Sequence, residues 1–339
     1  MRADVTTGHE KRVVRSREKR SQGVALVMVL CALFLLTLVI FGLAQRVKED
    51  LFIAGRDNRA LDAKALAYTG LQIALHPLSS ARTPALRHDL DRTHRYEARL
   101  VGEGGKLNLN WILTGEDPRK LELLKVFLEN RGLNFQEREV LVDSMLDWIE
   151  PGSTHHLNGT KTGLDGQAVP GRPFQDLAEV RRVNGSGPLT HQPGWDKDWT
   201  LLSKGPIDLQ WAGEEVIASL PGVGEVRARG FVQKRRGEDQ IDGTADDLVF
   251  AGMSPSMGSV SGVTPGGRTG VAPVNIEMIQ GLLGLSPVAF QAISDLIATA
   301  GDPTVRIISA GQALDTVHTM EVVARKEGMQ PLILSWKEY

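Results

Sequence analysis

Four aspartates crowd one short stretch of this chain. Gly237-Glu-Asp-Gln-Ile-Asp-Gly-Thr-Ala-Asp-Asp-Leu248 places Asp239, Asp242, Asp246 and Asp247 within nine residues, and Gly243 among them permits a sharp turn. Negative groups at that density repel unless a cation or solvent answers them. Ca²⁺ takes six to eight oxygens from carboxylates, carbonyls and water, so a flexible acidic loop suits it better than Mg²⁺. The spacing is not that of an EF-hand, because no Glu stands at the twelfth position. Two readings stay open, a calcium loop and a solvated acidic turn; calcium at Asp239, Asp242, Asp246 and Asp247 is the expectation.

A weaker metal candidate is Asp147 with Glu150, set against an ordinary polar helix end. The adjacent His155-His156 pair sits on a Gly/Asn-rich loop and makes a poor chelate, so a solvated loop is expected there. Catalytic patterns fail. Gly102-Glu-Gly-Gly-Lys106 hints at a phosphate loop, but Leu107 stands where Ser or Thr is needed. There is no G-x-S-x-G, no H-E-x-x-H and no usable cysteine nucleophile, so a non-enzyme is expected.

The elements that must carry these loops begin with a membrane-type helix. Residues 23–43 are 21 residues without a charge, long enough to cross a hydrocarbon core of ~30 Å. Seven basic residues (Arg2, Lys11, Arg12, Arg15, Arg17, Lys19, Arg20) face three acidic ones in residues 1–23, a net +4 that favours a cytoplasmic N-terminus. Beyond the leader stand 32 basic and 38 acidic residues, which disfavours bulk attraction to nucleic acid. The apolar run exceeds the 7–15 residues of a signal-peptide core and no Ala-x-Ala follows it. A plain anchor competes with a pilin-like layout in which removal of the leader after Gly23 frees Val24. After Leu43, Val47, Leu51, Ala54, Leu61, Ala65, Leu71 and Leu75 recur near helical spacing until Pro77, predicting a helix that packs an apolar stripe on a sheet. The single cysteine, Cys31, lies in the apolar run and excludes an intramolecular disulfide.

A weak repeat follows. Lys106–Asn110, Pro206–Gln210 and Pro273–Glu277 each alternate as short strands do, and helical patterns follow each one. In the second, Val216, Ile217 and Leu220 form one face, Pro221-Gly-Val-Gly224 the turn, and Val226, Phe231 and Val232 the second face. This is a helix-hairpin-helix pattern. Such pairs hold nucleic-acid phosphate on turn amides, and Arg227, Arg229, Lys234, Arg235 and Arg236 lie close by. A small helical packing module is the competing and preferred reading. The third segment turns at Leu285-Ser-Pro287, with Phe290, Ile293 and Ile297 behind it. Thr304–Ser309, Thr316–Ala324 and Pro331–Tyr339 read as three strands, with Val305, Ile307, Val317, Met320 and Val322 on the face toward the helix.

The order GVALVMVLCALFLLTLV, Ala-rich helix, GKLNLN, LVDSMLDWIEP, PFQDLAEVRRV and the strand-helix pair from Ile207 resembles the K-type minor pseudopilins of type II secretion systems. The Gly-Thr-Ala-Asp-Asp-Leu string also resembles calcium loops of major pseudopilins. Gln210-Trp-Ala212 departs from the family pattern, and the third repeat and residues 251–270 look like additions. The resemblance implies an α+β fold: a long N-terminal helix on an antiparallel sheet, with a large inserted domain of SAM-like or helix-hairpin-helix modules. It implies a leader (1–23), a transmembrane helix (24–43), a pilin-like domain from 44–110 and 302–339, and an insertion (111–301) carrying the acidic loop 237–248. It further implies prepilin-peptidase cleavage after Gly23 and methylation of Val24. The protein would be a periplasmic-facing inner-membrane subunit at a pseudopilus tip. Its partners would be other minor pseudopilins and the inner-membrane secretion platform, with no nucleic acid. Most pilins carry Glu at the fifth mature position; Met28 stands there, as in tip subunits with nothing above to pair with. The alternative is a membrane-anchored helix-hairpin-helix protein that binds DNA in a competence or type IV pilus system.

Overall fold

The computed structural model describes residues 11–250, 275–298 and 301–339. The chain divides into two compact units, one ending at Leu61 and one beginning at Asp62.

The first unit contributes the bulk of helix α1 (Lys11–Leu75), which runs on through Gly42, Gly55 and Gly70 without a break. Among the described residues, α1 is the helix long and apolar enough to cross a membrane by itself. From Val24 to Leu43 every side chain is exposed.

In the second unit, the end of α1 lies on a five-stranded antiparallel sheet ordered β1 (Arg87–Asp89), β2 (His94–Gly102), β7 (Thr304–Ala313), β8 (Thr316–Arg325) and β9 (Leu332–Glu338). Ala63, Leu66, Ala67, Gly70, Leu71, Ala74 and Leu75 are buried, a spacing of three and four that puts them on one helix face. The stripe is narrower than the sequence expectation. Val47, Leu51, Leu61 and Ala65 are exposed, and burial begins at Ala63. Small residues at the contact let the backbones close up. A side chain at Gly311 would strike the Ala63 carbonyl and the Ala67 amide, and one at Gly70 would meet Ser309 Oγ at 2.6 Å. Ser309 Oγ donates to the Ala67 carbonyl at 2.7 Å. Beneath the helix Leu71 and Leu75 pack with Ala98, Leu100, Ile307, Met320, Val322 and Ala324.

Val317 is 58% exposed, correcting the expected face. Successive strand residues point to opposite sides, so Val317 cannot share a face with Met320 and Val322. The three C-terminal strands otherwise occur where alternation predicts them.

Between β2 and β7 lies a separate, mainly helical core. It comprises β3 (Leu107–Asn108), α2 (Leu109–Leu113), α3 (Pro118–Asn130), α4 (Phe135–Ile149), α5 (Gly187–Thr190), β4 (Trp199–Thr200), β5 (Ile207–Asp208), α6 (Glu214–Ala218), α7 (Gly224–Arg235), α8 (Ile276–Leu283), α9 (Pro287–Ile293) and β6 (Ile297–Ala298). The first two expected strands shrink to two residues each, β3 and β5, and the third gives way to a helix in its described part. The first is cut to β3 because Asn108 accepts from the Trp111 amide and caps α2. In the third, Asn275 caps α8 and Ile276 is already helical; residues 273–274 and the glycine-rich run 251–270 lie outside the described residues. Helix α4 opens on a capping box between Asn134 and Glu137. Val226 is 83% exposed and leaves the expected second face, where Ala228, Phe231 and Val232 are buried. From Val226, positions three and four on are Arg229 and Gly230, so its stripe faces water.

Buried charge joins the insertion to the sheet. Glu103, almost fully buried, accepts from Arg306 of β7 and from Thr200 of β4, and Arg306 also pairs with Glu321. Asp208 accepts the amides of Gln210 and Asp302, and burial pushes its carboxyl up to about 7.

Candidate functional site

The acidic loop leaves the end of α7, and its first partner is the arginine pair that closes that helix. Arg235 is 1% exposed; its Nη1 donates to the Leu209 and Ala212 carbonyls at 2.9 and 2.6 Å. Its Nη2 reaches Asp242 Oδ1 at 2.8 Å, and Arg236 Nη2 reaches Asp242 Oδ2 at 2.8 Å. Burial works against the ionised form of Asp242, but the two guanidiniums outweigh it and hold the carboxyl below its ordinary range.

The other three carboxylates converge. One oxygen each from Asp239, Asp246 and Asp247 lies within 4.8 Å of the others. Asp246 Oδ2 accepts the Glu238 and Asp239 amides at 2.6 and 3.2 Å, and Oδ1 accepts from Thr244 Oγ1 at 2.8 Å. These bonds, the Thr244 hydroxyl foremost, depress its pKa. Asp247 Oδ2 accepts the Gly243 and Thr244 amides at 2.6 and 3.2 Å, while burial pushes its carboxyl up. Gly243 adopts φ 91°, which a side chain rarely tolerates. Arg82 Nη2 donates to the Asp247 carbonyl at 2.8 Å and ties the loop to the segment after α1. Thus Asp239, Asp246 and Asp247 form one group, and Asp242 serves as counter-ion to the arginines.

A second group draws on residues far apart in sequence. Glu116, in the turn after α2, Glu150, the C-cap of α4, and His156 bring one ligand atom each within 4.8 Å of one another. Of the expected pair Asp147 and Glu150, only Glu150 joins it. Asp147 is buried behind His156, whose Nδ1 lies 2.9 Å and whose backbone amide lies 3.0 Å from Asp147 Oδ1. His155 turns away and bonds the His156 carbonyl. Nothing in the sequence pointed to Glu116, and Arg235, expected as a basic residue beside the hairpin turn, is instead buried against Asp242. Neither belongs to a spaced motif, and each acquires its neighbours only through tertiary folding.

Of the five basic residues near the turn between α6 and α7, three are held by carboxylates and one by a backbone carbonyl, while Lys234 is exposed. Arg227 Nη1 donates to the Gly222 carbonyl, Arg229 pairs with Glu214, and Arg235 and Arg236 pair with Asp242. Gly23 and Val24 lie inside α1.

Comparison with known proteins bears on the same regions. Residues 105–192 match the family model described as type II secretion system (T2SS), protein K. That segment contains α2, α3 and α4 with the loop that follows them. No curated protein matches the chain. Among solved structures, a chain of the GspK-GspI-GspJ complex from the enterotoxigenic Escherichia coli type 2 secretion system aligns with a TM-score of 0.53 at 13% identity. The alignment covers 87% of this chain and 99% of that one. Residues 105–192 are thus similar to the protein K family of the type II secretion system, and the fold around them resembles that of a chain in the GspK-GspI-GspJ complex.

Proposed function

We propose that this protein is a minor pseudopilin of a type II secretion system and serves as a non-enzymatic assembly subunit for protein export. The observation that carries the reading is the protein K match over 105–192, inside a helical insertion that interrupts a helix-on-sheet fold. The apolar run 24–43 supports a single inner-membrane span, and the basic leader supports a cytoplasmic N-terminus with the head in the periplasm. Prepilin peptidase would cut after Gly23 and methylate Val24, and the helix would then move from lipid into a fibre made with two other minor pseudopilins on the secretion platform. Membranes of cells carrying the secretion genes supply the test. The reading expects a mature chain that begins at methylated Val24 and co-purifies with two further pseudopilins. An intact Met1 in the presence of the peptidase overturns it.

Calcium at the acidic loop is part of the same reading. Asp239, Asp246 and Asp247 supply carboxylate oxygens, and the nearby carbonyls and water complete a set of the hard-oxygen kind Ca²⁺ takes. Millimolar calcium is expected to raise the melting temperature of the purified chain, and Asp239→Asn with Asp246→Asn to abolish the rise. Asp242→Asn is expected to lower the melting temperature with or without calcium, because it leaves Arg235 buried against a weakened partner. A melting curve indifferent to calcium removes the site.

A further inference from the structure

We propose that Glu116, Glu150 and His156 bind a divalent transition-metal ion of the zinc class, with Asp147 fixing the imidazole from behind. The three donors come from three separate segments: the turn after α2, the C-cap of α4 and the loop that follows it. His156 Nε2 lies 3.5 Å from Glu116 Oε2. The other ring nitrogen, Nδ1, lies 2.9 Å from Asp147 Oδ1. With Nδ1–H donated to that carboxylate, the Nε2 lone pair is directed toward the glutamates, which is the tautomer a metal needs.

Asp147 is the independent observation. Its side chain is wholly buried, and its Oδ2 has no hydrogen-bond partner and rests against Gly159. A buried carboxylate costs several kcal/mol unless it is answered (on the order of the desolvation of one ion). Its immediate cation is Lys161, whose Nζ stays 3.8 Å from Oδ1 and donates to the Asp147 and Glu150 carbonyls instead, both at 2.9 Å. The remaining contacts are the imidazole and the backbone amide of His156, both on Oδ1. A carboxylate placed behind a histidine in this way orients metal-ligating imidazoles and raises their basicity. Asp143 Oδ2 accepts both nitrogen donors of Asn158 and pins the loop that presents His156.

The donor chemistry selects the ion. Ca²⁺ and Mg²⁺ take oxygen, whereas one imidazole with two carboxylates suits zinc and its neighbours. Three protein ligands leave a position for water or for a donor from a partner. This site is distinct from the acidic loop and does not depend on the pseudopilin reading.

The test uses the full-length chain in detergent, stripped with a chelator and held in excess calcium to occupy the acidic loop. Zinc chloride is titrated calorimetrically, and bound zinc is counted after desalting. The wild type is expected to retain one equivalent. His156→Gln and Glu116→Gln are expected to weaken binding by about tenfold or more, and Asp147→Asn by about 10–100-fold. Asp239→Asn with Asp246→Asn is expected to leave zinc binding unchanged. Glu116 is exposed, so its variant reports on binding without threatening the core. Cobalt in place of zinc is expected to give a visible absorption band that H156Q lacks. Failure of the wild type to retain zinc, or equal retention by H156Q and E116Q, overturns the proposal and leaves His156 as an ion-pair partner only.

Discussion

Residues 24–43 and 63–75 belong to one helix, yet their apolar side chains are arranged differently. The first stretch is apolar on every side and exposed throughout. The second gathers most of its apolar groups into one buried stripe, with Lys64, Ala65, Tyr68, Thr69 and Gln72 exposed on the other faces. An all-round apolar helix requires an apolar environment on all sides, which lipid or a bundle of like helices provides. A striped helix requires only one partner, here the sheet formed by β2, β7 and β8. The difference between the two stretches therefore assigns each its own solvent, even though the backbone is continuous.

The largest effect should come from charging the first stretch. Leu33→Arg with Leu36→Arg carries about 2.5–3.5 kcal/mol of insertion cost per charge. The double variant is expected to move from the alkali-resistant membrane pellet to the soluble fraction, and full retention would show that the run is not the span. Next comes the striped stretch. Leu71→Ala should cost about 2–5 kcal/mol in chemical unfolding of the detergent-solubilised chain. The matched control is Leu51→Ala on the exposed side, expected within about 0.5 kcal/mol of wild type; equal losses at the two positions would erase the distinction. The smallest effect tests how closely the helix approaches the sheet. Gly311→Ala is expected to cost about 1–3 kcal/mol because the new methyl meets helix backbone and no side chain can swing away. A neutral result would mean that helix and sheet separate easily.

The comparison also explains what the sequence disclosed. Long apolar runs and strict alternation survive folding because they depend on neighbours along the chain, so α1, β7, β8 and β9 could be read directly. The limits of the stripe could not, since Ala63, Ala67 and Gly70 owe their burial to Ser309 and Gly311 rather than to hydrophobicity. The acidic loop was visible as composition, but the separation of Asp242 from Asp239, Asp246 and Asp247 was not. That separation follows from Arg235 being drawn into the core by two backbone carbonyls. Likewise Asp147 and Glu150 are three positions apart in sequence, yet one turns inward behind His156 and the other outward toward Glu116.

The pairing of β2 with β7 has a kinetic consequence. Glu103 and Arg306 bridge the junction across 203 positions of chain. During synthesis, β1 and β2 emerge long before the strand that completes them, leaving Leu100 and Ala98 uncovered on that side. Closing so long a loop is entropically slow, whereas a folded insertion shortens the search by bringing its own ends together where Gly104 lies against Asp302. The insertion thus acts as a timer for the sheet, and lesions deep within it should delay maturation more than they hasten the decay of the finished molecule.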